Sequence, residues 1–247
     1  MGRNVKKPVR RRGAKRQAER RGGRKKKRVA FDVVTKTILI VAICVFAFSL
    51  FQLVKMLIPY YSGGKEYDKL KDKAITIETT KDSEDTSEAR FKVDFDVLLQ
   101  ENPDTVAWIR FDEPAVINYP VVQGSDNSEY LSKTFKGYDN TVGTIFVNAY
   151  NHADFNDRNT IIYGHYMYNG TMFNELEQYH EKSFREKYPY FYIYTPDGNV
   201  ATYQIYSVGV VKDTSEGYTY QFADDAAFAS FLEATKASSL YLSLIHI

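Results

Sequence analysis

The sequence predicts a mainly β domain with added helices, a small closed barrel preceded by one transmembrane helix. Three observations predict it. Seventeen consecutive residues, Ile38 to Val54, carry no charge. Beyond them, short runs of β-branched and aromatic residues recur between turn signals, with few helical stretches among them. The charge is also divided. Residues 1–28 hold fifteen Lys/Arg and one acidic residue, Glu19, so the remainder holds eighteen Lys/Arg against thirty Asp/Glu, or −12.

The 247 residues suffice for one ordinary domain plus extra segments. The net charge of +2 hides the asymmetry, and a basic tail on an acidic body points to a membrane or polyanion partner for the tail. The single cysteine, Cys44, excludes an intrachain disulfide.

Residues 1–32 form the tail, almost without apolar side chains and expected to lack structure. Residues 33–59 are a signal-anchor helix. Lys36 and Lys55 flank its apolar run, which at ~1.5 Å per residue spans roughly 26 Å, and Met56 to Ile58 extend it toward a ~30 Å hydrocarbon core. The positive-inside rule places the tail in the cytoplasm and the body outside, as a single-pass protein of the cell membrane. Cleavage at Ala47-Phe48-Ser49 is disfavoured because the apolar run continues past it. The adjacent span and the acidic body also argue against a nucleic-acid arm. Residues 60–90 are polar and read as a flexible stalk, helical only near Tyr67 to Ala74.

The body follows. Asp94 caps a short helix to Gln100 that buries Phe95, Leu98 and Leu99. Val106 to Phe111 and Val116 to Gln123 are strands separated by Glu113-Pro114, and Val142 to Asn148 is another. Asn151 to Asn159 is a solvated loop; its Asp154, Asn156 and Asp157 match no calcium-loop spacing, so no metal site is expected. Met172 to Tyr179 and Lys182 to Tyr188 are helical turns. Tyr190 to Thr195 and Val200 to Val211 flank the hairpin signal Pro196-Asp197-Gly198-Asn199. Phe222 to Ala237 is an amphipathic helix with Phe228, Phe231 and Leu232 on one face.

The stretch that bears chemistry is Asn159 to Phe173, N-T-I-I-Y-G-H-Y-M-Y-N-G-T-M-F. Thr160 to Tyr163 forms a strand. Gly164 turns the backbone, and His165 stands at the strand's end on a rigid element, where a general acid/base is useful. Asn169-Gly170 is a turn, and Thr171 is placed to cap the next helix.

This stretch resembles the active-site histidine segment of class B sortases, the cell-wall transpeptidases of Gram-positive bacteria. Their pattern is close to N-T-hydrophobic-hydrophobic-Y-G-H-x-M-x-x-G-x-M-F, and every fixed position is met. Further similarity runs from about Asp94 to Tyr241, through D-F-D-V-L-L-Q-E-N-P-D-T-V-A-W-I, Y-P-V-V-Q-G-S-D-N, G-T-I-F, D-F-N-D-R-N and Y-I-Y-T-P-D-G. The resemblance implies a sortase-type barrel over residues 91–241, with an N-terminal helix and a helix after the sixth strand.

It also implies a cysteine nucleophile, His165 as proton carrier and an arginine for the oxyanion, with no cofactor. Sorting-signal-bearing surface proteins are the implied substrates, and a peptidoglycan precursor or pilin amine the acceptor. Asn127, Leu131 and Tyr163 match positions lining the signal-peptide groove; their other reading is turn, core and strand packing. The family's cysteine follows a T-L-S-T-C-like strand and its arginine lies on the next. Neither is present, so the expectation is a barrel without its last two strands, C-terminally truncated and inactive as it stands. The tail Leu242 to Ile247 departs from the family and reads like a translated sequencing adapter. The rival expectation is a membrane-anchored binding module without catalysis.

Overall fold

The computed structural model describes residues 11–79, 89–212 and 214–239. The chain divides into two compact units, residues 1–57 and 58–247. The helix α1, Arg11–Ala74, runs through the first and ends in the second. Part of the tail expected to lack structure is therefore helical, and Lys, Arg, Ala and Gln are good helix formers. From Phe31 to Leu57 the side chains of α1 are exposed, including Phe46, Phe48 and Phe51. This is the one helix among the described residues that is long and apolar enough to cross a membrane.

Within the second unit α1 continues to Ala74, so the helix expected near Tyr67 to Ala74 is present, but it packs against the body rather than standing as a flexible stalk. Tyr67, Leu70 and Ala74 are buried in the main core. Their spacing of three and four puts them on one helical face, a stripe masked in the sequence by the Lys and Asp residues between. The chain then pairs β1, Ile75–Thr79, with β2, Ala89–Val93, as antiparallel strands. Residues 80–88 of the expected stalk, and the expected departure at residues 242–247, lie outside the described residues.

Asp94 caps α2, Phe95–Glu101, as expected: its Oδ1 accepts the Val97 amide at 3.1 Å. Next come β3, Thr105–Phe111, and β4, Asn118–Val122, joined through a cis Glu113-Pro114 bond. Then follow β5, Ile145–Val147; β6, Ile162–Tyr163; β7, Tyr166–Met167; and β8, Thr171–Met172. A 3₁₀ turn, Asn174–His180, precedes α3, Lys182–Lys187. Last are β9, Tyr190–Tyr194; β10, Val200–Gln204; and α4, Asp225–Ala237, capped by Asp224. Strand β10 stops short of the expected Val211: residues 205–212 run on without ladder pairing.

Six strands form one sheet in the order β10-β9-β3-β4-β5-β6. All neighbours are antiparallel except β4 and β5. Pro120 sits in β4 opposite Trp108, one residue before the pairing with β5 begins at Val121, so its missing N–H costs that ladder nothing. Among the described residues the sheet is a curled half-barrel whose edge strands are β6 and β10. Trp108, Val121, Val122, Ile145 and Val147 fill its centre, and Leu98 of α2 and Leu70 of α1 belong to the same buried cluster.

Between the two edges lies an apolar hollow of about 770 Å³. Ile109, Phe111, Ile162, Phe173, Phe191 and Val208 are among its walls.

Candidate active site

His165 is where the sequence places it, immediately after β6 and Gly164. Its setting is more specific than a strand end. Gly164 is required for packing, because a Cβ there would stand 2.5 Å from the ring of Phe173. Phe173 in turn donates its backbone N–H to the His165 carbonyl at 3.0 Å. The residues between them close a tight hairpin, β7 against β8, turning at Gly170 with φ of 79°. Thr171 therefore does not cap a helix. It pairs with Met167, and its hydroxyl donates to Asn169 Oδ1 at 2.7 Å.

The imidazole is held from the other side by residues 130–143. Nε2 lies 2.6 Å from the Leu131 carbonyl oxygen. A carbonyl only accepts, so this contact requires a proton on Nε2. In the neutral ring Nδ1 is then the acceptor, and it has no hydrogen bond among the described residues. Gly143, with φ of 64°, forms the floor: a Cβ there would stand 2.8 Å from His165 Cδ2 and 2.9 Å from the Tyr130 and Leu131 carbonyls. Leu131 thus meets the histidine through its carbonyl, while its side chain is exposed.

Asn127 and Tyr163 are brought together through Asn148, a residue that carries no signal of its own in the sequence. Asn127 Nδ2 donates to Asn148 Oδ1 at 3.4 Å, and Asn148 Nδ2 donates to the Tyr163 hydroxyl at 3.4 Å. Asn127 Oδ1 accepts the Ala149 amide at 2.8 Å. Asn148 is buried, and a buried amide at a strand end is a polar group that must find partners. Burial raises the Tyr163 hydroxyl above its ordinary range, with Tyr218 adding to the shift.

Aromatic rings extend this corner. Tyr163 stacks on Tyr218 at 6.4 Å and Tyr150 on Tyr220 at 5.7 Å. Their segment is tied down by Asn159 Nδ2, which donates to the Thr219 carbonyl at 2.8 Å, and by Arg158, paired with Asp225. Tyr150, Tyr218 and Tyr220 were legible in the sequence only as aromatic residues in polar loops.

Among the described residues no group of three His, Cys, Asp or Glu is placed to hold an ion. Asp157 instead accepts from the His152 amide at 2.6 Å and from Asn151 at 2.9 Å. The one thiol of the chain, Cys44, lies in the exposed apolar part of α1.

The geometry can be set against known proteins. A sortase domain model matches residues 112–242. The chain is 29% identical over 219 residues to Sortase B of Staphylococcus aureus, covering 88% of this chain and 84% of the relative. It is 32% identical over 152 residues to Sortase B of Listeria monocytogenes, covering 61% of this chain and 60% of the relative. Among solved structures, sortase B from Bacillus anthracis in complex with AAEK1 superposes with a TM-score of 0.65 at 29% identity, over 77% of this chain and 86% of that one. The S. aureus sortase B–substrate complex gives 0.58 at 31%, over 62% and 70%.

Proposed function

This chain belongs to the sortase family, on its class B branch, and on that premise we propose that it carries the acid/base half of a cell-surface cysteine transpeptidase. A thiolate attacks the Thr carbonyl of a sorting signal, and the electron pair moves onto the carbonyl oxygen. Collapse expels the amine of the next residue, which takes its proton from His165, and leaves a thioester. An amine of a wall precursor or pilin then attacks the thioester, gives a proton back to His165 and releases the thiolate. An arginine stabilises the oxyanion in both halves.

The observation that carries this reading is the clamp on His165. Leu131 fixes Nε2 as the donor, and Gly143 and Phe173 fix the ring's place, so Nδ1 is the nitrogen left to exchange a proton. The Asn127-Asn148-Tyr163 chain and the tyrosines beside it form a polar, aromatic wall that suits an extended peptide. The anchor is the apolar part of α1, with its basic end in the cytoplasm and residues 60–247 outside, because positive charge is retained on the cytoplasmic side. Protease added to intact protoplasts then removes the body; full protection of the body overturns that orientation.

The wall of tyrosines, which suits binding by itself, supports a second reading, an anchored module that binds the sorting signal without cleaving it. One experiment separates the two. The chain is joined after Tyr241 to the cysteine- and arginine-bearing strands of a class B relative and assayed with a fluorogenic sorting-signal peptide. The chain alone is expected to bind without cleavage and the joined chain to cleave. His165→Ala in the joined, folded chain is expected to lose ~10²–10⁴-fold or more. Near-full rate in that variant removes His165 from the mechanism.

A further inference from the structure

We infer that Tyr67, on the last turns of α1, is a positioning residue for His165. Its hydroxyl donates to the Gly143 carbonyl at 2.7 Å, with the Thr144 hydroxyl 3.1 Å away. Gly143 is the floor under the imidazole. Thr144 passes the tie onward, donating its own hydroxyl to the Lys133 carbonyl at 2.8 Å, while its amide donates to the Tyr130 carbonyl at 3.0 Å. The buried Tyr67 hydroxyl thus binds together both ends of the loop whose Leu131 carbonyl and Gly143 enclose the ring.

A second route runs through the ring of Tyr67. It stands edge-on to Tyr119 at 5.4 Å, and the Tyr119 hydroxyl accepts the Met172 amide at 3.3 Å. Met172 precedes Phe173, whose amide holds the His165 carbonyl. Two independent chains of contact from one side chain therefore end on the two sides of the histidine. The same stretch of α1 is fastened to the loop elsewhere, which makes Tyr67 one anchor of a built joint. Asn140 Nδ2 donates to the Pro59 carbonyl at 3.1 Å, and Glu66 accepts the Lys136 amide at 3.0 Å.

A merely structural tyrosine would cost stability without changing the histidine. A positioning tyrosine changes which ring nitrogen carries the proton, because the Leu131 carbonyl is what selects Nε2. The inference rests on the proposed role of His165 for its consequence in catalysis, but its test does not. The full chain in detergent micelles, labelled with ¹⁵N-histidine, reports the tautomer of each of the four histidines; His165→Gln assigns the line. The parent is expected to be Nε2-protonated at His165 in the neutral form. Tyr67→Phe keeps the ring and removes only the hydroxyl; it is expected to give a mixture of tautomers at His165 with the His152 and His180 lines unmoved. Thr144→Val, which breaks the same tie from the other side, is the second variant should Tyr67→Phe unfold. An unchanged His165 tautomer in whichever variant is folded overturns the inference. A changed tautomer combined with a fully active His165→Ala enzyme leaves the positioning intact and removes the catalytic role instead.

Discussion

The two halves of the sheet differ in what closes them. Around β3, β4 and β5 the layers are complete: Trp108, Val121 and Ile145 are fully buried in one cluster with Leu98 of α2 and Leu70 of α1. Around β6, β9 and β10 the same sheet faces a hollow of about 770 Å³, and Phe111 and Phe191 stack on each other at 5.0 Å along its wall. The histidine belongs by sequence to the open half, since it follows β6. Its clamp is shared: Phe173 lines the hollow, while residues 130–143, tied to Tyr67, pack with the closed half. The histidine is thus held in part from the filled side of the sheet while it stands beside an edge strand.

The difference is largest in stability. Trp108→Ala removes a fully buried ring and the bond from Nε1 to Asn118 Oδ1 at 2.6 Å, and is expected to cost about 3–5 kcal/mol. Phe191→Ala, half-buried against the hollow, is expected to cost about 1–2 kcal/mol. Denaturant unfolding of the full chain in micelles measures both. Equal losses would break the comparison, because they would mean that the hollow is packed in solution as tightly as the centre.

What was legible in the sequence divides by locality instead. The His165 segment, the Asp94 cap, β3, β4 and the β9–β10 turn depend on local chemistry, namely a capping carboxylate, β-branched runs and Pro-Asp-Gly. These were readable in order. The clamp was not. Leu131 acts through a carbonyl and Gly143 through the absence of a side chain, so neither announces itself by residue type. Tyr67 sits among charged residues in a stretch that reads as a stalk, and only the packing of Leu70 and Ala74 beside it reveals the stripe. Asn148 lay inside an expected strand, where a buried amide gives no periodic signal. Thr171 was misplaced for a related reason: Asn-Gly marks a turn equally well before a helix or between two paired strands, and Gly170 made the tight hairpin possible.

The clamp gives the next effect in size. Gly143→Ala forces a left-handed alanine and drives its Cβ toward His165 Cδ2, with an expected cost of about 1–3 kcal/mol and a displaced histidine line in the spectrum. Gly137→Ala is the control. Its φ is 81°, but nothing lies within 4 Å of the added carbon, so it is expected to cost about 1–2 kcal/mol of backbone strain and leave the histidine line in place. A histidine line that responds equally to both would mean that the ring senses loop stability rather than the floor beneath it.

The smallest expected effect is electrostatic and has opposite signs in the two halves. In the closed half, Glu101 of α2 lies between Lys136 and Lys73 of α1, and hydrogen bonds from the two lysines, Lys136 first, hold its carboxyl below its ordinary value of 4.5. A depressed carboxylate contributes stability that is present above pH 4.5 and is lost as pH falls through the folded value. Beside the open edge, the Asp157 carboxylate, 2.7 Å from His152 Nδ1, raises that imidazole above its ordinary 6.5, by its hydrogen bond first and its charge second. A raised histidine contributes stability that is present below pH 6.5 and is lost as pH rises through the folded value. Both pairs are near the surface, so both effects are small and weaken with salt. Unfolding free energies of the parent, Glu101→Gln and His152→Gln, measured from pH 3.5 to 8.5, separate them. Glu101→Gln is expected to flatten only the acid limb, and His152→Gln only the decline above pH 6.5. If His152→Gln left that decline unchanged, the pairing that orders residues 151–157 would contribute nothing, and the loop beside the tyrosine wall would owe its shape to Asn151 and to the Asp157 contacts with backbone alone.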